Sequence, residues 1–109
     1  MKIKSKIWLE TDEGIIISEG RIRLLKLIEA TGSLNKAAKE MNISYQKAWK
    51  LVDASNKASK EPLVATQIGG NKGGGTVITP YGKLLIESFE KINKECWNFL
   101  DLQLEKHSL

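Results

Sequence analysis

Two short stretches of helical spacing lie side by side between residues 33 and 56. In the first, apolar residues recur at intervals of three or four behind Ser33, a favourable N-cap residue; they are Leu34, Ala37, Ala38 and Met41. Asn42 and Ile43 interrupt this period, and Ser44 is a second N-cap candidate. A second series follows at Tyr45, Ala48, Leu51, Val52 and Ser55. The pattern predicts two helices joined by a tight turn, the helix-turn-helix arrangement in which the second helix is held outward.

The outward face of the second helix carries polar and basic residues. If the apolar series points inward, the opposite face presents Gln46, Lys47, Lys50 and Asp53. Glutamine can form two hydrogen bonds with adenine, and lysine can reach guanine acceptors or a phosphate. Trp49 lies beside the inward face, so packing is its first predicted role and DNA contact its second. Taken alone, the pattern fits an ordinary surface helix with solvated lysines equally well.

Residues 1–18 have the two-residue period of a β-hairpin. Ile3, Ser5, Ile7 and Leu9 alternate with Lys2, Lys4, Lys6 and Trp8. Residues 11–14 end in a glycine and predict the turn, and residues 15–17 predict a short β-branched return strand. We expect the row of three lysines to be a solvated strand face rather than a DNA contact.

A first helix and a second hairpin flank the helix-turn-helix. Four apolar residues predict a helix from about Glu19 to Thr31, ended by Gly32 as a left-handed cap, and residues 19–56 then form a three-helix core. Residues 63–68 and 76–79 predict two strands around the glycine-rich run 69–75, with Lys72 at its tip. A strand–loop–strand unit directly after the second helix, spanning 63–79, is the wing of a winged helix.

The glycine run also raises the possibility of a nucleotide-binding loop. A phosphate-binding P-loop needs its lysine followed by Ser or Thr and then a helix, whereas Lys72 is followed by Gly73 and a β-branched run. A dinucleotide fingerprint likewise needs a helix directly after the loop. This alternative, an enzyme or ligand sensor, therefore lacks its structural context.

The last helix is predicted from Pro80 to at least Gln103, with Thr79 as N-cap and proline at the first position. A seam at coiled-coil spacing runs along it: Leu85, Phe89, Ile92, Cys96 and Phe99. Trp97, Leu100 and Leu104 form a neighbouring stripe. Since a small domain usually buries one face of such a helix, we expect this seam in helix 80–107 to form a homodimer interface. A single long core helix is the alternative.

Charge is concentrated on the helix-turn-helix. The 109 residues suffice for one domain, and the net charge is +4. Residues 20–60 contain nine Lys or Arg against three Asp or Glu, a local balance of +6, and the flanking segments are nearly neutral or slightly acidic. The basic region therefore lies where a polyanion such as double-stranded DNA would dock.

Several other classes of protein are disfavoured. The lone Cys96 allows neither an internal disulfide nor a zinc cluster, which fits a reducing cytoplasmic setting. No apolar run approaches the length of a membrane span, and there is no signal-peptide pattern. His107 has no nucleophile arranged beside it. We therefore expect no enzyme activity, no metal site and no cofactor.

The chain resembles the N-terminal DNA-binding domain of ModE-type, molybdate-responsive transcription regulators, which are similar to the LysR-type helix-turn-helix. The resemblance covers roughly residues 20–100 in one consistent order. It rests on Ser44-Tyr45, Ala48-Trp49, Asp53, Asn56, Glu61-Pro62-Leu63-Val64, the run Gly69 to Gly75, and Thr79-Pro80-Tyr81-Gly82. It implies a winged helix-turn-helix, a homodimer joined partly by the last helix, and a palindromic operator.

Two departures from that family affect what is expected here. Ala65-Thr66 stand where the family usually has Glu-Arg, and the loop lysine is displaced by one position, so operator contacts can differ. The sequence ends at Leu109 without a counterpart of the family's molybdate-binding domain. We accordingly expect any effector to be sensed by a separate protein.

Together these observations predict a single α+β domain over 1–109, mainly α, that binds DNA sequence-specifically as a homodimeric prokaryotic transcription regulator. Gln46, Lys47 and Lys50 would approach base edges, and Lys36, Ser44, Tyr45 and Lys72 would hold phosphates. The main alternative from another class is a winged-helix protein–protein interaction module whose basic face is incidental.

Overall fold

The computed structural model describes residues 1–67 and 75–109. In chain order the elements are β1 (Leu9–Thr11), β2 (Gly14–Ile17), α1 (Glu19–Thr31), α2 (Leu34–Glu40), α3 (Tyr45–Ala58), β3 (Val64–Gln67), β4 (Gly75–Ile78) and α4 (Pro80–Lys106). This is the predicted winged helix-turn-helix, a mainly helical α+β fold with a long last helix. Its glycine run and Lys72 fall largely outside the described residues.

The helix ends follow the local sequence signals closely. Ser33, Ser44 and Thr79 each accept a hydrogen bond from a backbone N–H of the first turn that follows. Gly32 ends α1 in the left-handed region, at φ 68°, and donates its N–H to Ile28. α3 continues two residues beyond the predicted end at Asn56.

One core joins all of these elements. α1 contributes Leu24, Leu25 and Ile28, which are essentially inaccessible to solvent. Ala37 and Ala38 of α2 are also buried, and their small side chains let the neighbouring helices approach closely. β2, the two strands of the wing, and the first half of α4 complete the cluster with Ile17, Leu63, Val64, Ile78, Ile86 and Phe89.

The N-terminal hairpin is shorter than its sequence pattern predicts. β1 pairs with β2 in antiparallel register, Leu9 with Ile17 and Thr11 with Gly14, but residues 1–8 have no regular secondary structure. The return strand limits the pairing, because Ser18 directly after it is already the N-cap of α1. The alternation survives without a partner strand: Ile7 and Leu9 pack against the core, while the three lysines are exposed.

The base of the wing is fixed between α3 and α4. β3 and β4 pair from Val64–Ile78 to Gln67–Gly75. Leu63, just before β3, is fully buried, and its carbonyl oxygen accepts hydrogen bonds from the backbone and hydroxyl of Thr79 at 2.9 and 3.2 Å. In β4, the N–H of Thr76 donates to the carbonyl oxygen of Gly32, the C-cap of α1, at 3.0 Å. Both strands are thus bonded to the helical core.

Candidate nucleic-acid interface

The turn between α2 and α3 holds the second helix outward. Asn42 occupies the left-handed region, at φ 56°, which asparagine tolerates better than most residues. Ile43 then donates its N–H to the carbonyl of Ala38 at 3.0 Å, and its side chain packs against the core. This backbone reversal turns α3 away from the axis of α2 within four residues, as the sequence predicted.

α3 buries one side and exposes the other. Its buried residues are Ala48, Val52, Ser55 and Ala58, whereas Gln46, Lys47 and Lys50 are exposed and Asp53 is half-buried. The predicted outward face is therefore the side of α3 that lies in solvent. We call Gln46, Lys47, Lys50 and Asp53 the recognition face. The helix that carries them, α3, is called the recognition helix.

Electrostatics favour an anionic ligand on this face. Asp53, its single acidic residue, forms an ion pair with Lys57 at 2.9 Å. Within residues 1–67 and 75–109, the other ion pairs join Lys26 to Glu90 and Lys91 to Glu87. Lys36, Lys47 and Lys50 have no acidic partner among these described residues, so their charge is available to a polyanion.

Two of the predicted phosphate ligands, Ser44 and Lys36, lie at the starts of α3 and α2. The hydroxyl oxygen of Ser44 accepts the N–H of Lys47 at 3.0 Å, which leaves its hydroxyl hydrogen to donate to another group. Lys36 lies on the exposed side of α2, after the equivalent cap at Ser33. Both positions face outward at the start of their helices, where backbone N–H groups favour negative charge.

A cleft of about 360 Å³ separates the start of the recognition helix from the wing. Its described lining carries no charged residue. Leu34 and two glycines contribute to it, and its side-chain donors and acceptors are Ser33, Asn35, Tyr45, Thr66, Gln67 and Thr76. Hydroxyl and amide groups of this kind commonly bond phosphate and sugar oxygens in protein–DNA contacts. Lys72, the predicted phosphate contact at the tip of the wing, lies outside the described residues.

Two large aromatic residues stand on the recognition helix with half of their surface in solvent. Tyr45 is 52% exposed and Trp49, one turn later, is 50% exposed. The prediction that Trp49 serves packing first is therefore wrong, because Trp49 is not one of the buried core residues. The apolar period placed it at the edge of the buried face, and the structure puts it outside the buried core.

The sequence did not predict the structural roles of several residues that position the recognition helix. The side-chain oxygen of Asn56 accepts the N–H groups of Leu63 at 2.8 Å and Val64 at 3.2 Å, and its amide donates to the carbonyl of Val64 at 3.0 Å. Thr11 of the hairpin donates its hydroxyl to the carbonyl of Ala58 at 2.7 Å. Thr11 and Ala58 are 47 positions apart, and Asn56 bonds across the loop that follows α3, so the periodicity of a helix or strand does not reveal either contact.

Arg21 provides a third support for the recognition helix. Its guanidinium donates to the carbonyl of Ile15 and, at 3.1 Å, to the hydroxyl of the buried Ser55 on α3. Partial burial lowers the pKa of Arg21, yet an arginine remains protonated at physiological pH. This side chain therefore links α1, β2 and α3 through charge-assisted hydrogen bonds.

α4 leaves a large apolar surface in solvent. Its buried residues are Gly82, Ile86, Phe89 and Asn93, and beyond Asn93 every residue of this fully described helix is at least partly exposed. Ile92 is 50% exposed, Trp97 47%, and Phe99 and Leu102 59% each. At 1.5 Å per residue, the thirteen residues after Asn93 extend the helix by about 20 Å.

The predicted interface seam needs one correction. Phe89 is only 1% exposed and lies in the core of its own domain, and Leu85 packs against that core. The heptad spacing does not show which of two neighbouring stripes packs against the core of the domain. In the structure the row through residues 82, 86, 89 and 93 is the one that packs there. Ile92 and Phe99 remain exposed, while Cys96 is half-buried with its sulfur 3.6 Å from the hydroxyl of Ser5.

Residues 1–67 and 75–109 contain no cluster of three or more His, Cys, Asp or Glu side chains placed to hold a metal ion. Among the helices of the same residues, none combines the length and apolar character required to cross a membrane.

Comparison with known proteins identifies several relatives, although no family model matches the chain. The Azotobacter vinelandii molybdenum transport protein ModE is 40% identical over 102 residues, which cover 94% of this chain and 38% of that protein. The Haemophilus influenzae transcriptional regulator ModE is 37% identical over 79% of this chain and 34% of its own. The Escherichia coli DNA-binding transcriptional dual regulator ModE is 36% identical over 90 residues, which cover 83% of this chain and 34% of that protein.

These relatives confirm the resemblance to ModE-type regulators predicted from the motifs around α3, the wing and the start of α4. The chain spans about a third of the length of the curated relatives it matches. The similarity therefore concerns the winged helix-turn-helix region itself.

Proposed function

We propose that this chain, a relative of the ModE regulators over most of its own length, binds double-stranded DNA sequence-specifically as a homodimer and regulates transcription. The observation that carries the proposal is the recognition face: Gln46, Lys47 and Lys50 are exposed together on a helix that the turn at Asn42 holds outward. One relative bears the name of a DNA-binding transcriptional dual regulator.

The geometry divides the contacts between base edges and the DNA backbone. Gln46 and Lys50 are one helical turn apart on the exposed side, so both would meet bases when α3 lies in the major groove. Lys36, Ser44 and Tyr45 surround the start of that helix and would hold phosphates, with Lys72 on the wing as a further phosphate contact. Such contacts fix the register of the protein without reading sequence.

The dimer in this proposal is formed by the exposed apolar part of α4. Exposed apolar residues concentrated on one helix in this way commonly mark an interaction surface. A two-fold partner would cover Ile92 and Phe99 and would carry a second recognition helix, so that two half-sites about 34 Å apart are bound together. The expected operator is accordingly palindromic.

The decisive experiment measures affinity for duplex DNA as a function of salt concentration. Because lysines without acidic partners line the interface, log affinity should fall linearly with log salt through release of counterions. Lys36→Ala and Lys72→Ala should each reduce the slope by about one, because both lysines are proposed phosphate contacts. Lys91→Ala is the matched control, because Lys91 pairs with Glu87 on α4, and its slope should equal that of the native chain.

A flat salt dependence in the native chain would reject DNA binding and would favour a protein–protein interaction module. An unchanged slope in Lys72→Ala alone would remove the wing lysine from the contacts while leaving the recognition face in place. Selection of bound sites from random DNA then gives the operator and shows whether its two halves are related by symmetry.

A further inference from the structure

The half-exposed pair Tyr45 and Trp49 forms a row of its own on the recognition helix. The two residues are four positions apart, so their side chains lie one above the other on the same side of α3. Asn56, seven positions after Trp49, is on the same flank, and its side chain bonds to Leu63 and Val64 at the base of the wing. The aromatic row therefore lies on the flank of α3 that faces the wing, beside the row of Gln46 and Lys50.

The surroundings of this row identify the kind of partner that would cover it. Tyr45 lines the same cleft as Thr66 and Gln67 of the wing, whose side chains are polar. Gln46 and Lys50 are exposed on the turns directly beside the aromatic pair. An apolar protein surface would bury this polar and cationic border without partners, which is costly. The major groove of DNA is bordered by anionic phosphates and presents apolar methyl groups among the base edges on its floor.

Thymine supplies the matching apolar group, since its 5-methyl projects into the major groove and is bound by apolar side chains. On this basis, and resting on the DNA binding proposed above, we propose that Trp49 is a specificity-determining residue that contacts the 5-methyl group of a thymine beside the base pair read by Gln46 or Lys50. Tyr45, one turn before Trp49, would contact the phosphates at the start of α3. Sequence preference at that position would come from an apolar contact rather than from a hydrogen bond.

The contact is tested by removing only the methyl group. Each thymine of the selected site is replaced in turn by deoxyuridine, and affinities are measured for the native chain and for Trp49→Ala. Burying one methyl contributes about fourfold in affinity. In the native chain one position in each half-site should lose about this factor, whereas Trp49→Ala should bind the thymine and deoxyuridine duplexes equally.

Trp8→Ala is the matched control, because Trp8 is equally exposed, at 47%, but belongs to the N-terminal segment. It should keep the full sensitivity to the methyl group. Trp49→Gln provides a second variant in case the alanine protein does not fold, and circular dichroism reports the folding of both.

Three results would overturn the inference while leaving DNA binding intact. They are a native chain indifferent to every methyl group in the site, a Trp49 variant that keeps the native sensitivity, and a selected site that lacks thymine in both halves. Absence of any salt-dependent DNA binding in the native chain would instead reject the proposed function, and this inference with it.

Discussion

Gly82 of α4 lies so close to Leu63 that a side chain cannot be placed between them. A Cβ atom built on Gly82 would be 2.4 Å from the carbonyl oxygen of Leu63, well inside van der Waals contact. That oxygen also accepts the hydrogen bonds of Thr79, so it is not free to move away. Glycine at this position lets α4 begin directly on the base of the wing.

Gly82→Ala should therefore destabilise the domain. Overpacking against a fixed group typically costs about 1–3 kcal/mol, and the clash here is with backbone. The measurement is urea unfolding followed by circular dichroism. Gly20→Ala is the control, because no atom lies within 4 Å of the Cβ it would add, and replacing a helical glycine there should leave stability unchanged or raise it by up to about 1 kcal/mol. Equal stability of the two variants would contradict the close contact.

Asn56→Ala should weaken both folding and DNA binding. The substitution removes three hydrogen bonds between α3 and the start of β3, and leaves backbone groups of Leu63 and Val64 without partners. An unsatisfied buried group costs about 1–3 kcal/mol. Denaturant unfolding and duplex affinity are measured on the same samples.

The control for this prediction is Asn98→Ala, at an exposed position on α4. It should match the native chain in stability and in DNA affinity. If Asn56→Ala also matches the native chain in both measurements, the side chain is not required to hold the wing against the recognition helix.

Gln46→Ala and Lys50→Ala should lower affinity for the selected site more than for random DNA. Loss of a bidentate base contact typically costs about 1–3 kcal/mol of discrimination. Lys36→Ala should differ from both, because a lost phosphate contact weakens binding to all sequences alike. Competition binding with the two duplexes gives the ratio for each variant. Equal losses on both duplexes for Gln46 and Lys50 would restrict the recognition face to the DNA backbone.

Ile92→Asp combined with Phe99→Asp should convert the proposed dimer to a monomer. Both side chains are at least half exposed, so the charges are tolerated in a monomer but would be buried unpaired in the interface. Sedimentation at micromolar concentration reports the change. Lys94→Asp introduces the same charge on the opposite side of α4, at 100° per residue, and should leave the dimer intact.

Two outcomes of the sedimentation experiment would count against the interface. A folded double variant that still sediments as a dimer would place the contact elsewhere. A native chain that is monomeric at the same concentration would remove the two-fold operator from the proposal.

Sequence predicted the elements better than the contacts between them. Ser33, Ser44, Thr79 and Gly32 each specify a helix end through bonds within their own turn, so their effect is visible in the sequence. Asn56 forms hydrogen bonds with residues seven and eight positions later, across a loop, and the sequence of its own helical turn does not predict that contact.

Two errors of burial share one physical cause. Phe89 and Trp49 both lie near the boundary between a buried and an exposed stripe, where a rotation of a few tens of degrees decides the environment. The packing of each helix against its neighbours sets its rotation about its own axis, and the spacing of apolar residues in the sequence does not specify that rotation. The exposure of Trp49 in the folded chain therefore reverses the order of its two predicted roles and puts DNA contact before packing.

Leu63 has a mechanical consequence for any dimer built on α4. Its N–H is bonded to the recognition helix through Asn56, and its carbonyl is bonded to the first turn of α4 through Thr79. Hydrogen bonds through Leu63 thus connect α4 to the recognition helix, in addition to the core that the two helices share. In a dimer built on α4, this connection would resist changes in the spacing of the two recognition helices, so half-sites slightly too far apart or too close would be bound only if the DNA itself bends or twists.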